Sequence, residues 1–361
     1  MRMNGMKAFG APKFCTGCLL LFMACSSLMQ PAASPTPSAT AKGTIYGASP
    51  AGASGSGAIF RLTNPSSLNG NVVPSATITG PLTYLDTPVI SLDASADRLF
   101  AFVKTDPVEG EILVFDHAST RNGNIFPDRI IAGRTTGIQG TGVFAVDSTR
   151  NLLYAGTSVG ASGGSNILVF RNAGAASGNV PPDAILQFSN SPTFPVSLVL
   201  DQVNDRLFIG DSSQNIRVFD HASMLTAGPM VPNRTISDPN NILSGGMALD
   251  SAGRLLVSSR NSTKPAHISI YANAATANGV VSPVAIITGL ATALNIGGPG
   301  ALAVFNGPGA SAGGDLYVSV ESGKVLVFTN IATANGDVKP ARTICISTQA
   351  SILSLAADGS H

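Results

Sequence analysis

Apolar residues in this chain fall in short runs, and no stretch shows helical spacing. Within one period the order is constant: a run ending in Asp ("ISLD", "FAVD", "LVLD"), a run such as "RLF" or "LLY", a run such as "ILVF", and a Pro-led run such as "DRII". Each is short, rich in β-branched or aromatic residues, and bounded by Gly, Asn, Asp or Ser, which predicts four strands per period. In "ILVF", Ile112 and Val114 point one way and Leu113 and Phe115 the other. Both faces are apolar, so the sheet must be covered on both sides.

The periods align on three marks. The "ILVF"-type run ends at Leu62, Phe115, Phe170, Phe219, Tyr271 and Phe328. Each is followed by a Gly and, four residues on, a Pro: Gly70/Pro74, Gly123/Pro127, Gly178/Pro182, Gly228/Pro232, Gly279/Pro283 and Gly336/Pro340. The first run ends at Asp93, Asp147, Asp201, Asp250, Asn306 and Asp358, at intervals of 49–56 residues. Six small four-stranded antiparallel sheets stacked around an axis would cover every face, which is a six-bladed β-propeller. The last run, "ILSLAAD" (352–358), has no second strand after it, and "GTIYGAS" (43–49) has no first strand before it. The two are expected to share the closing blade. Pro suits the start of an outer edge strand, and Arg129, Arg234 and Arg342, two residues beyond three of the prolines, are expected to protect that edge by charge.

The segments "ALDSAGRLLVSS" and "LFIGDSSQNIRVF", with the "GN..P" element, resemble the NHL-repeat and related six-bladed propellers of exported bacterial proteins. The resemblance spans about residues 43–361. It implies architecture more than activity, since propellers of this kind include binding scaffolds, lactonases and lyases. A gluconolactonase-like member would gather carboxylates and amides around a divalent metal at the axial mouth.

The N-terminus supplies an address. Arg2, Lys7 and Lys13 precede an apolar run from Phe14 to Ala24, the order of a secretory signal, too short for a permanent span. "LFMAC" resembles a bacterial lipoprotein signal with Cys25 as the lipidated residue, although Phe22 stands where Leu is usual. Residues 1–25 are thus expected to be the signal peptide, 26–42 a Pro/Ser/Ala/Thr tether, and 43–361 the propeller. The alternative is cleavage near Ala41 and release. Either way the protein is exported. A lipid anchor would be its only membrane attachment, with Ser26 favouring the outer membrane. Cys15 and Cys18 fall inside the signal, leaving Cys345 alone in the body and no disulfide within the folded domain.

Charge narrows the partners: 21 basic and 20 acidic residues give a net charge of +1, with no basic footprint for nucleic acid. A monomer is expected.

Candidate chemistry is sparse. The recurrent Asp reads as turn capping. The segments leading into the first strands ("DTPVI", "GTGVF", "FPVSL", "SGGMA", "GPGAL", "QASIL") hold Asp86 as their single acidic residue, a poor donor set for a metal. No metal or other cofactor is expected. Three G-x-S-x-G matches (156–160, 160–164 and 309–313) lie in Gly/Ser-rich loops without the helix that a nucleophile elbow needs. His117, His221, His267 and His361 lack metal-ligand spacing. What remains is mixed charge on the loops between second and third strands, where Lys104, Asp106, Asp211, Arg260 and Glu321 are the candidate ligand-binding residues, with Glu109, Lys264 and Lys324 nearby. No catalytic residue is named. The expected function is a non-enzymatic binding or scaffold lipoprotein of the bacterial envelope that engages a protein or glycan through this loop face. The alternative is a secreted metal-dependent lactonase, hydrolase or lyase.

Overall fold

The computed structural model describes residues 43–51, 55–104, 109–140, 142–157, 165–188, 193–238, 243–259, 265–294, 300–311, 313–320, 323–346, 349 and 351–359. The signal, the Cys25 lipidation site and the 26–42 tether lie outside them.

The described residues form six sheets arranged as the blades of a β-propeller. Blade 1 takes its inner strand, Ser354–Asp358, from the C-terminal end and continues with Thr44–Ser49, Ala58–Thr63 and Ala76–Thr79. Ser354–Asp358 pairs antiparallel with Thr44–Ser49, with Thr44 opposite Asp358, so the two ends of the chain close one blade as the run order predicts. Blade 2 runs Val89–Asp93, Arg98–Lys104, Gly110–Asp116 and Arg129–Ile131. Blade 3 runs Phe144–Asp147, Leu152–Thr157, Asn166–Arg171 and Ala184–Gln187. Blade 4 runs Pro195–Asp201, Arg206–Asp211, Asn215–Asp220 and Arg234–Ser237. Blade 5 runs Leu243–Leu249, Leu255–Ser259, His267–Tyr271 and Ala285–Thr288. Blade 6 runs Leu302–Phe305, Asp315–Val320, Lys324–Phe328 and Arg342–Cys345.

The two-faced apolar runs pack as their alternation requires. Ile112 and Val114 join Phe144, Leu153 and Phe170 of blade 3, while Leu113 and Phe115 join Tyr46, Ile59 and Ile78 of blade 1. The same division recurs around the ring, giving one buried cluster at each interface between blades. At roughly 1.5–3 kcal/mol for each fully buried large side chain, these clusters are the main stabilising element.

The Gly of the repeat motif pairs with the outer strand of the preceding blade. Gly123, Gly178 and Gly336 bridge Ile78, Ile131 and Ile287 in parallel. Gly228, Gly279 and Gly70 do the same to Leu186, Ile236 and Ile344. The Asn before the Gly reinforces the joint, because its Oδ1 accepts the next free strand amide: Thr77 to Asn122 at 2.9 Å, Thr235 to Asn278 at 3.0 Å, Ile286 to Asn335 at 3.0 Å and Thr343 to Asn69 at 3.1 Å. An outer strand is therefore not an open edge, which corrects the role expected of its arginines. Arg129 and Arg234 turn back across their own blades to Asp116 and Asp220, and Arg342 to Asp315, because the next blade already satisfies the edge.

Cys345 is buried in the outer strand of blade 6.

Candidate functional site

The upper ends of the six inner strands surround an axial cavity of ≈ 600 Å³, lined by Val89–Ile90, Gly142–Phe144, Val196–Leu198, Gly245–Met247, Gly300–Leu302 and Ile352–Leu355. Its size suits a small ligand. Ser197 and Ser354 bring hydroxyls to the lining, but both hold the ring together: Ser197 Oγ accepts the Met247 amide and Ser354 Oγ the Ile90 amide, each at 3.2 Å. Gly246 approaches blade 6 so closely that a Cβ there would stand 2.9 Å from the Leu302 nitrogen. The described lining of the cavity is thus a ring of small and apolar groups clasped by neutral hydrogen bonds.

At the opposite end of the inner strands sit the recurrent aspartates, which cap turns. Asp93 Oδ1 accepts the Ala96 amide at 3.1 Å, and Asp147 Oδ1 the Thr149 and Arg150 amides at 2.9 and 3.0 Å. Asp250 Oδ1 accepts the Ala252 and Arg254 amides, and its Oδ2 takes Arg254 Nε at 2.5 Å. A second carboxylate lies at the end of the third strand in two blades. Asp116 receives Arg98 Nε at 2.6 Å and Arg129 Nη1 at 2.5 Å, and Asp220 receives Arg206 Nε at 2.6 Å and Arg234 Nη1 at 2.7 Å. Hydrogen bonds from Arg129 and Arg234 lead in holding these two carboxyls well below the usual carboxylate range. In blade 6, Arg342 Nη2 donates to Asp315 Oδ2 at 2.8 Å and to the Tyr317 hydroxyl at 3.3 Å, and burial pushes that phenol up to about 12.

Of the five residues proposed from sequence, Lys104 and Asp211 lie among the described residues. Lys104 is exposed at the upper end of the second strand of blade 2. Asp211, at the equivalent end in blade 4, is buried: its Oδ1 accepts the Ser213 and Asn215 amides at 2.9 and 3.1 Å, and Arg217 Nε binds its Oδ2 at 2.7 Å. Arg217 also lies 4.9 Å from the Phe188 ring centre. Asp211 is a buried turn anchor. Asp106, Arg260 and Glu321 lie outside the described residues, as does Lys264. Glu109 stands 3.6 Å from Arg134.

Other motifs resolve as architecture. His117 and His221 adopt left-handed backbone, φ 55° and 53°, at the turn where Asn64, Asn172 and Asn330 stand in other blades. The G-x-S-x-G match at 309–313 leads into the strand Asp315–Val320, and the described residues contain 3-10 turns but no α-helix. Two further devices were not singled out in the sequence. Asp97 and Asp205, also left-handed, take the amide and hydroxyl of Ser119 and Ser223. A Gly-x-x-Thr turn follows the outer strand at Gly80–Thr83, Gly133–Thr136 and Gly289–Thr292, each Thr hydroxyl donating to its Gly carbonyl. Its signal was present as G-x-x-T spaced after the repeat Pro.

The fold and these joints define a six-bladed β-propeller. Among solved structures the chain is similar to one chain of a nidogen/laminin complex, with TM-score 0.53 and 11% identity over 87% of this chain and 98% of that one. That likeness shows the fold. No family model matches, and no curated protein matches.

Proposed function

We propose that this protein is a non-enzymatic binding or scaffold propeller of the bacterial envelope, exported, held to the membrane through lipid on Cys25, and engaging a protein or glycan on its loop face as a monomer. The observation that carries the reading is where the carboxylates go. Among the described residues, Asp93, Asp147, Asp201, Asp211 and Asp250 cap turns, and Asp116, Asp220 and Asp315 take arginines, while the described lining of the axial cavity is neutral. A metal-dependent hydrolase needs several convergent ligands at that place. The similar solved chain belongs to a protein–protein complex, which agrees with a partner-binding role. Thr44 pairs with Asp358 at the Asp-turn end, so the chain enters the ring opposite the axial cavity.

The test is thermal unfolding of the purified exported protein with chelator and with calcium, magnesium, manganese and zinc. A ligand at 100 times its dissociation constant adds about 2.7 kcal/mol, enough to move the midpoint by several degrees. The binding reading expects no shift; a clear one supports the hydrolase instead. Cys25→Ser is expected to release the protein from the membrane fraction.

A further inference from the structure

The repeats act as controls for one another, and one pair of residues departs from all of them. The Gly-x-x-Thr turn ends in a left-handed residue, which is Gly137 (φ 68°) after blade 2, Ala293 (φ 60°) after blade 5, and Tyr84 (φ 57°) after blade 1. A bulky aromatic in that region is a rare and strained choice. Tyr46, Tyr154, Tyr271 and Tyr317 are buried, whereas Tyr84 is 53% exposed. Beside it stands Phe126, 56% exposed, with ring centres 6.1 Å apart and planes tilted by 46°. Phe126 precedes the repeat Pro, where other blades carry Val73, Pro181, Val231, Ser282 and Lys339.

The joint between blades 1 and 2 places polar groups around these rings. Asn122 Oδ1 accepts the Thr77 amide at 2.9 Å and Asn124 Oδ1 the Leu82 amide at 2.8 Å. Both amide oxygens face the wall, so the Nδ2 groups of these exposed residues are turned outward as donors. The nearby Arg121 and Asp128 neutralise each other. A peptide cannot add to this edge as a strand, because Gly123 already takes the Thr77 carbonyl and the Thr79 amide. Two half-exposed aromatic rings, outward amide donors and, among the described residues, no unpaired cation cluster fit a neutral ligand with aliphatic ring faces and hydroxyl acceptors.

We propose that Tyr84 and Phe126 form a stacking platform for a neutral polysaccharide chain on the side wall between blades 1 and 2, with the Asn122 and Asn124 amides donating to its hydroxyl oxygens. The site uses no residue of the loop face, so it stands or falls separately from the partner proposed there.

The chain has no Trp, so Tyr84→Trp places a single indole reporter at the platform. Its emission would be followed during titration with hexasaccharides of β-1,4-glucose, β-1,4-N-acetylglucosamine, β-1,3-glucose, α-1,4-glucose, β-1,4-xylose and β-1,4-mannose, with calorimetry on the unmodified protein. At least one is expected to bind, with affinity falling tenfold or more in Tyr84→Ala and in Phe126→Ala. The unfolding midpoint should stay near the parent's, since Ala293 occupies the equivalent turn position. Binding of none of the six at 10 mM, or binding that survives both variants, overturns the proposal. So does a proline-rich peptide binding there in their place, or a dimer in sedimentation that the same variants dissolve.

Discussion

The Tyr271 hydroxyl donates to Asp238 Oδ2 at 2.8 Å, a buried contact from the third strand of blade 5 to the end of blade 4. Tyr154, equally buried on the second strand of blade 3, finds no hydrogen-bond partner for its hydroxyl among the described residues. The two phenols should therefore respond in opposite ways to loss of oxygen. A hydrogen bond to a charged group contributes about 1.5–3 kcal/mol, whereas an unsatisfied buried hydroxyl is a cost. Tyr271→Phe is expected to lower stability in urea unfolding by about that amount, and Tyr154→Phe to leave it unchanged or raise it by ~1 kcal/mol. Equal losses would contradict the pairing.

Acid should act through Asp116 and Asp220. Their carboxyls lie below the unfolded value of 3.8, so the native state binds fewer protons than the unfolded chain at low pH. Their contribution is full above that value and is lost as pH falls through it toward the folded value. Between about pH 5 and pH 2 the parent should lose more stability than the Asp116→Asn/Asp220→Asn double variant. Parallel stability–pH curves would exclude the two carboxylates as the acid-sensitive groups.

The joints between blades should be sensitive to single atoms. A Cβ on Gly80 would stand 2.6 Å from Asn124 Cγ, and φ there is 120°. Gly80→Ala is expected to destabilise by about 1–3 kcal/mol through strain and displacement of Asn124. Gly70→Ala meets no atom within 4 Å and pays only for its φ of 71°, so it should cost less. Chemical denaturation of the two variants tests the order.

Removing residues 352–361 takes away the inner strand of blade 1, with Ile352 and Leu355 of the cluster between blades 6 and 1. The truncated chain is expected to lose cooperative unfolding. A melt like the parent's would refute closure by the two chain ends.

Much of the fold was legible because strand alternation and turn residues are local. Phe115, Phe170 and Phe219 mark third strands by their spacing, and Asp147 and Asp250 mark turns whose partners lie within four residues. Less was legible of the site. Asp211 looked like a loop charge because sequence does not show that Arg217, six residues on, turns onto it. Arg129 looked like edge protection because nothing near it announces that Gly178 of the next blade covers its strand.

The sequence by itself determined the number of blades, the order of strands within each, and the sharing of blade 1 between the two ends of the chain. These follow from a period, from which faces are apolar, and from the half-blades left at the two ends of the repeat series. Tertiary structure alone decided the rest: which strand edge each motif Gly satisfies, which carboxylates remain for chemistry, and that Tyr84 meets Phe126. Those contacts join residues tens of positions apart on neighbouring blades, and they exist only once the ring is closed.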